Sequence, residues 1–268
     1  MKAEIITSLQ NQRVKRLVQL QQKSAVRRES GLFVAEGLRE VQHCVEGGFE
    51  IATLYFCRAM LSDEVLDTLF QSCTGVDCYE VTPEVYEKMA YRGTTEGVMA
   101  EVRARYLILE DLKLGESPLV VVLESVEKPG NLGAVLRSAD AAGVDAVLVC
   151  DALTDLYNPN LIRASLGAAF TVPVVACSSG DAIAYLKEHN VQILTAQLQD
   201  SNLYYDTDMR RGTALVMGTE STGLTDVWRQ AADAHIRIPM LGRLDSLNVS
   251  VSAAILLFEA VRQRESKI

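Results

Sequence analysis

The residues of this chain best suited to chemistry lie in three polar, glycine-containing segments of its second half. These segments cover residues 124–137, 218–223 and 242–248, and each follows an apolar run that predicts a strand. Glycine lets a ligand approach backbone donors closely, so each segment is a candidate binding loop. Their polar side chains include arginine, glutamate, serine and asparagine but no histidine. Such groups orient a substrate and stabilise charge better than they perform nucleophilic attack.

The motifs argue against several common enzyme classes. No G-x-G-x-x-G follows the first strand and no G-x-x-x-x-G-K-[ST] occurs, which disfavours a dinucleotide dehydrogenase and a P-loop NTPase. G-x-S-x-G is absent as well, so a hydrolase of that type is not expected. The six cysteines are scattered and the three histidines show no zinc spacing. We therefore expect reduced thiols and no metal site.

Alternating strands and helices must position the three segments. The second half opens with the run PLVVVLESV, typical of a buried strand in a parallel sheet, and the pattern predicts five or six strands with helical crossovers. The chain after Asn248 predicts a long helix with Asn248 as its N-cap. This helix is apolar on more than one face, which suggests a core on one side and a second subunit on the other.

The first hundred residues predict a smaller α/β domain of their own. Strand-like runs such as GLFVAEG and GVMAEVRA alternate with helical segments, the first of which covers residues 9–22. We expect a first domain at residues 1–106, a linker at 107–117 and a second domain at 118–268. The predicted fold class is α/β in both halves.

The charge is spread unevenly along the chain. A net charge of −9 argues against a protein that coats nucleic acid indiscriminately, yet residues 1–30 carry seven basic and two acidic residues. This basic arm predicts a local contact with a polyanion, while an ordinary solvated helix face would have the same composition. No apolar run is long enough to cross a membrane, and the first residues lack the apolar core of a signal peptide. We therefore expect a cytoplasmic protein.

Three segments of the second half together resemble the signature motifs of a known family. NLGAVLRSADAAG, LVMGTESTGL and IRIPMLGRLDSLNVSVSAA are similar, in this order, to motifs of the SpoU or TrmH family of S-adenosylmethionine-dependent RNA ribose 2′-O-methyltransferases, within the SPOUT superfamily. The first half, from NQRVKRLVQL through FVAEGLREV to TTEGVMAEV, resembles the L30e-like substrate-binding domain that precedes the catalytic domain in many members.

The resemblance implies a fold, a cofactor and a set of site residues. It implies a trefoil knot in the second domain, S-adenosylmethionine bound within the knot, and a homodimer formed by that domain. The residues matched to cofactor binding are Thr195, Ala196, Met217, Gly218, Ile238, Met240 and Leu247. The residues matched to catalysis are Asn131, Arg137, Glu220, Ser246 and Asn248. The expected RNA contacts are Lys15, Arg16 and Arg163.

The implied reaction moves a methyl group from a sulfonium to a ribose hydroxyl. The protein must hold the hydroxyl oxygen in line with the methyl group and help it lose its proton. Because a guanidinium stays protonated in proteins, we expect Arg137 to bind the adjacent phosphate and lower the pKa of the hydroxyl. Glu124 or Glu220 is then expected to take the proton.

Alternative interpretations stay open at this point. Ribosomal RNA is the expected substrate and transfer RNA the alternative. A catalytically idle RNA-binding or ribosome-assembly protein would share the fold but would not need Arg137, Glu220 and Asn248. A base methyltransferase is disfavoured by the SLN segment, partly on fold-level analogy. Taken singly, Asn131 and Asn248 could be helix caps, and Arg137 could be an ion-pair partner of Asp140.

Overall fold

The computed structural model of the protein describes residues 4–91, 96–219 and 222–265. The chain forms two compact units. The first comprises Met1–Arg105 and Tyr157–Thr171, and the second comprises Tyr106–Leu156 and Val172–Ile268. Both units are built from strands and helices, which confirms the predicted α/β fold class. The domain limits expected from the sequence stay a prediction.

A five-stranded mixed sheet forms the centre of the first unit. Its strands lie in the order β1, β4, β3, β5, β2, and β5 is antiparallel to both of its neighbours. The elements up to residue 105 are β1 (Glu4–Ile6), α1 (Gln12–Gln22), α2 (Ser24–Ser30), β2 (Leu32–Glu36), α3 (Leu38–Glu46), β3 (Ile51–Phe56), α4 (Asp63–Ser72), β4 (Asp77–Val81), α5 (Pro83–Met89) and β5 (Val98–Arg103).

Helix α1 confirms the helix predicted at residues 9–22. The Asn11 side chain accepts a hydrogen bond from the backbone of Arg13, so the helix begins at Gln12. Val14, Leu17 and Leu20 are buried at helical spacing and belong to the same core as residues of β2, β3 and β5. This packing fixes which sides of α1 meet solvent.

The second unit contains a seven-stranded sheet in which all described pairs are parallel. The strand order is β10, β12, β9, β11, β6, β7, β8, and the additional strand relative to the expected five or six is the two-residue β10. The remaining elements of the chain are β6 (Leu119–Glu124), α6 (Pro129–Ala141), β7 (Ala146–Cys150), α7 (Pro159–Ser165), α8 (Ala168–Thr171), β8 (Val174–Cys177), α9 (Ser179–Glu188), β9 (Gln192–Ala196), β10 (Asn202–Leu203), β11 (Thr213–Met217), α10 (Asp226–Ala231), β12 (Ala234–Arg237) and α11 (Val249–Glu265).

Helices α7 and α8 follow β7 in sequence but belong to the first unit. Asn158 caps α7 by accepting a hydrogen bond from the backbone of Asn160. Phe33 of β2 stacks on Tyr157 with ring centroids 4.3 Å apart and on Phe170 with centroids 5.6 Å apart. These aromatic contacts hold the 157–171 segment on the first unit.

The residues expected to form a linker are packed in the second unit. Leu107 forms a parallel bridge with Val175 of β8, and Leu109 is buried in the main core of that unit. Leu112 and Leu114 pack against the same core. Much of the 107–117 stretch is therefore part of a folded layer.

Helix α11 packs against α6 and β11. Asn248 accepts a hydrogen bond from the backbone N–H of Ser250 at 2.9 Å, which confirms it as the N-cap. One side of the helix is buried, including Leu256 and Leu257, whereas Phe258 is 49% exposed. Of the two apolar faces that the sequence predicts for this helix, only one is buried within the described residues.

Candidate active site

A cavity of about 310 Å³ lies at the carboxyl ends of three neighbouring strands of the second unit, β9, β11 and β12. Because these strands are parallel, the turns that follow them meet at one edge of the sheet. We call it the strand-end cavity. Six residues matched to cofactor binding line it, together with Ser246 from the catalytic set: Ala196, Met217, Gly218, Ile238, Met240 and Leu247.

Gly218 determines how closely two turns of this cavity approach each other. A Cβ at position 218 would lie 2.3 Å from both the carbonyl carbon and the oxygen of Gly223, closer than side chains approach backbone. Thr219 and Gly223 form an antiparallel bridge across the same turn. The backbone after β11 is therefore folded tightly against itself, and only glycine fits at its first position.

Gln197 lines the strand-end cavity and carries an unpaired acceptor. Its Nε2 donates to the carbonyl of Gln199 at 2.9 Å. Its Oε1 is buried and has no hydrogen-bond partner among the described residues. An unpaired buried acceptor is costly, so a ligand that donates a hydrogen bond would relieve that cost. The sequence interpretation missed this residue, whose only signal is its position directly after a strand.

Thr195 does not line the cavity, unlike the other residues matched to cofactor binding. Its side chain is fully buried, and its hydroxyl forms a 2.6 Å hydrogen bond with Nδ1 of His235 on the adjacent strand. Because strand side chains alternate between faces, Thr195 is directed differently from its neighbour Ala196. Its role in the described structure is to join β9 and β12.

A second, smaller cavity of about 160 Å³ shares Gly218 with the first and reaches the start of α6. Asn131 lines this cavity. Asn248 donates from Nδ2 to Oδ1 of Asn131 at 3.1 Å, while its own Oδ1 accepts from Ser250. The amide pair thus joins the first turn of α6 to the first turn of α11, so Asn248 is more than a helix cap.

The catalytic candidates are not all gathered at the cavities. Arg137 lies farther along α6, is exposed, and has no ion-pair or hydrogen-bond partner among the described residues. It is therefore available to an anion from outside the unit. Glu220 lies outside the described residues. Ser246 and Asn248 are exposed in the segment before α11.

Glu124, one of the two expected proton acceptors, is buried and hydrogen-bonded to Thr225. The residue is 3% exposed, and its two carboxylate oxygens accept hydrogen bonds from the hydroxyl and the backbone N–H of Thr225, at 2.6 and 2.9 Å. Both oxygens are therefore engaged in holding the turn before α10. The choice between Glu124 and Glu220 as proton acceptor stays a prediction.

In the first unit, the three expected RNA contacts differ in their surroundings. Lys15 and Arg16 are both exposed on α1, and Arg16 approaches the buried Glu101 at 3.8 Å. Arg163 is exposed on α7. Burial raises the pKa of Glu36, and the positive charge of Arg163 partly offsets that increase. Arg163 therefore acts electrostatically on a carboxyl of its own unit.

Apolar side chains are exposed around the end of the strand-end cavity and along α11. Leu241 is 97% exposed and Leu244 is 76% exposed, and on α11 Val251 and Phe258 are about half exposed. No helix in the described part of the chain is long and apolar enough to span a membrane. Within the same residues, no group of three or more histidine, cysteine or carboxylate side chains could hold a metal ion.

Two family models match this chain and together cover most of it. Residues 118–258 match the SpoU rRNA Methylase family, and residues 11–100 match the MRM3-like substrate binding domain. The first match contains both cavities described above. The second contains most of the five-stranded sheet.

Individual relatives match over 78% to 97% of the chain. The 23S rRNA (guanosine(2553)-2'-O)-methyltransferase RlmP of Bacillus subtilis is 28% identical, over 94% of this chain and 97% of its own. The 23S rRNA (guanosine-2'-O-)-methyltransferase RlmB of Bordetella pertussis is 37% identical, over 78% and 89%. The crystal structure of an AdoMet-bound rRNA methyltransferase from Sinorhizobium meliloti is 31% identical, with a TM-score of 0.89 over 97% of this chain and 98% of that one.

Proposed function

The chain belongs to the SpoU rRNA methylase family, and from that premise we propose that its target is a guanosine ribose of 23S ribosomal RNA. It is an RNA ribose 2′-O-methyltransferase that takes its methyl group from S-adenosylmethionine. The guanosine and the large-subunit RNA come from the printed activities of the RlmP and RlmB relatives. Such a reaction belongs where ribosomes are assembled, in the cytoplasm.

The convergence of three strand-end turns on one cavity is the observation that carries the proposal. The residues present fit S-adenosylmethionine. The tight turn at Gly218 exposes backbone groups, Met217 and Met240 offer apolar contacts, and the unpaired Oε1 of Gln197 can accept from an amino or hydroxyl group. When bound, this cofactor supplies a methyl group on a positively charged sulfur. Ile238 and Leu247 would contribute further backbone and apolar contacts.

The protein's own groups position the ribose and its proton. Asn131 and Asn248 fix each other across the two helix starts, so their amide groups are preorganised beside the strand-end cavity. Arg137 binds the phosphate next to the target ribose and lowers the pKa of the 2′-hydroxyl electrostatically, because its guanidinium cannot act as a base. Glu220 accepts the proton, and Ser246 contributes a hydrogen bond at the rim of the cavity.

The first unit presents the RNA to this site. Its match to a substrate-binding domain and its basic helix α1 support this role. Lys15, Arg16 and Arg163 are the proposed contacts with the RNA backbone. Replacing Lys15 and Arg16 together is expected to flatten the salt dependence of RNA binding, since each lost phosphate contact removes a released counterion.

We further infer a homodimer through the second unit. Phe258 and Val251 leave an apolar strip on α11, and Leu241 and Leu244 add exposed apolar surface nearby in sequence. Such surface supports an isologous contact between two copies. Phe258→Asp should shift the molar mass measured by light scattering from two copies towards one; an unchanged mass would exclude this face. The trefoil knot and the domain limits of 1–106 and 118–268 stay predictions.

The central experiment maps the methylated nucleotide. The protein is incubated with methyl-labelled S-adenosylmethionine and either unmodified 23S ribosomal RNA or transfer RNA, and the product is digested to nucleosides. Label in 2′-O-methylguanosine from the ribosomal RNA is expected. Label in transfer RNA alone would replace the proposed substrate, and label on a base would contradict ribose methylation. Donor binding without any transfer would favour the catalytically idle RNA-binding protein.

A further inference from the structure

A third cavity, of about 340 Å³, lies within the first unit beside the beginning of α1. Three arginines are among the residues that line it, Arg13, Arg16 and Arg103, and we call it the arginine cavity. Glu101 and Tyr55 also line it. Its residues are separate from those that line the strand-end cavity.

The cavity exists because α1 covers only part of the sheet. Thr53 lies opposite Glu101 in the register of β3 and β5, and Leu32 lies opposite Arg103 in that of β2 and β5. Since side chains alternate along a strand, these residues share one face of the sheet. Helix α1 packs on that face, and because the helix begins at Gln12 it covers the sheet only from that residue onward. At that point the face carries polar side chains, Thr53 and Glu101, which are themselves buried beneath the arginines of α1.

Glu101 is an unusual residue for this layer of the core. It is 3% exposed, accepts a hydrogen bond from the Tyr55 hydroxyl at 3.1 Å, and lies 3.8 Å from Nε of Arg16. Burial raises the pKa of its carboxyl, and the charges of Arg16 and Arg13 lower it again. A buried carboxylate is costly unless its partners are held close, so Glu101 and Arg16 restrain each other.

The other two guanidinium groups are also held in place. The Arg13 guanidinium lies over the ring of Tyr79, 4.1 Å from its centroid. Arg103 donates from Nε to Glu50 at 2.7 Å. A guanidinium has five N–H donors, so each of these arginines keeps donors for a further ligand. Restraint by these neighbours reduces the entropy lost on binding.

The cavity is an anion site by charge. Three arginines and one carboxylate line it, and when Glu50 beside Arg103 is counted as well the three positive charges still exceed the two negative ones. The first turn of α1 contains no acidic residue. The positive end of the α1 dipole lies at the same place. We propose that the arginine cavity binds a phosphate of the RNA backbone, with Arg13, Arg16 and Arg103 as its ligands and Glu101 and Tyr55 as positioning residues. This inference rests on the proposed function, because it takes RNA as the substrate.

The cavity revises the expected contacts on α1. Arg13 and Arg16 are three residues apart and share one side of the helix. Lys15 projects from the side opposite the buried Val14 and Leu17, and it does not line the cavity. Of the pair expected from the sequence, Arg16 lines the arginine cavity together with Arg13, and any contact of Lys15 with the RNA lies outside this cavity.

Equilibrium binding to a fragment of 23S ribosomal RNA, measured by fluorescence anisotropy at several salt concentrations, tests the proposal. Arg13→Ala and Arg16→Ala should each weaken binding about tenfold and reduce the salt slope by about one. The matched control is Lys23→Ala, which removes one exposed charge at the opposite end of the same helix. RNA binding by both arginine variants that equals that of the control would overturn the proposal.

Two further measurements identify the chemical class of the ligand and check that the variants fold correctly. In the first, guanosine monophosphate is titrated into the same proteins. If the nucleotide binds to the wild type but not to the arginine variants, and RNA binding is unchanged, then the ligand is a free nucleotide and the proposal is wrong. Arg16→Lys keeps the charge and should recover most of the RNA affinity, which a fold defect would not permit. Calorimetric binding of S-adenosylmethionine should stay equal to the wild type in all variants.

The outcome for this cavity is independent of the outcome for the reaction. Methyl transfer by the wild-type protein tests the proposed function, whereas RNA affinity of the variants tests the arginine cavity. Loss of RNA affinity in the arginine variants of a protein that methylates no ribosomal RNA would support the cavity and refute the proposed reaction. Unchanged RNA affinity in the arginine variants of an enzyme that methylates ribosomal RNA would refute the cavity and support the proposed reaction.

Discussion

The strand-end cavity and the arginine cavity present their groups to a ligand in opposite ways. In the first, close backbone packing at Gly218 and apolar side chains define the shape, and one unpaired acceptor on Gln197 adds polarity. In the second, charged side chains provide the attraction for a ligand, and Arg16 and Glu101 hold each other in position across 3.8 Å. A backbone-built site tolerates little change at one glycine, while a charge-built site loses affinity in increments.

The largest effect is expected from a methyl group at the tight turn. Gly218→Ala requires the backbone near Gly223 to move, because the new Cβ would lie 2.3 Å from it. S-adenosylmethionine affinity should fall roughly a hundredfold by calorimetry, since hydrogen bonding from the turn to the charged donor is worth about 3 kcal/mol and about 1.4 kcal/mol is tenfold in affinity. The control is Gly180→Ala, where the nearest atom would be 3.8 Å away. Equal donor affinity in both variants would show that the turn can relax.

Arg137 distinguishes charge from geometry in catalysis. Arg137→Lys keeps the positive charge but loses the planar, two-pronged donor group. Methyl transfer at saturating donor should fall about tenfold or more, because the phosphate next to the ribose is no longer held bidentately. Donor affinity should stay unchanged. Full activity of the lysine variant would mean that a point charge suffices.

Asn248 combines a structural and a site role, which two variants can separate. Asn248→Ala removes the cap of α11 and should lower the free energy of unfolding by about 1 kcal/mol. Asn248→Ser keeps a capping oxygen but cannot reach Asn131 in the same way, so stability should largely return while methyl transfer stays low. Thermal unfolding and activity are measured on the same preparations. Recovery of both properties by serine would leave the cap as the sole role.

The smallest effect concerns Glu101, whose pKa is raised by burial. A carboxyl with a higher pKa in the folded protein than in the unfolded chain adds stability at low pH, and that contribution is lost as pH rises through its folded pKa. Glu101→Gln cannot titrate. The free energy of unfolding of the wild type, relative to that of the variant, should therefore fall as pH rises above the ordinary glutamate range of about 4.3, as followed by urea denaturation. A difference that does not change with pH would mean that Glu101 is solvated as in the unfolded chain.

The backbone-built site was the more predictable of the two. Glycine, strand-end turns and the N-cap at Asn248 leave local signals in sequence, because each depends on neighbouring residues. The alternation of elements likewise predicted the parallel sheet. The hydrogen bonds from Thr225 to Glu124 could not be predicted, since the two residues are 101 positions apart and no local pattern indicates the contact.

The arginine cavity could not be found before the fold was known. Arg13 and Arg16 are visible as a basic helix, but Arg103, Glu101 and Tyr55 reach it from β3 and β5. Only sheet register brings those strands together. Gln197 was missed for a related reason, because an unpaired acceptor is a property of three-dimensional surroundings and not of residue type.

The aromatic contacts of Phe33 have a consequence for how such a protein can be cut or recombined. The 157–171 stretch returns to the first unit, so the chain crosses between the two units three times. A fragment ending near residue 106 would lose Tyr157 and Phe170 and leave the fully buried Phe33 without its stacking partners. A single genetic crossover near residue 106 would therefore yield a first unit with exposed apolar surface that tends to aggregate. To exchange the first unit intact, two further junctions are needed, one on each side of residues 157–171.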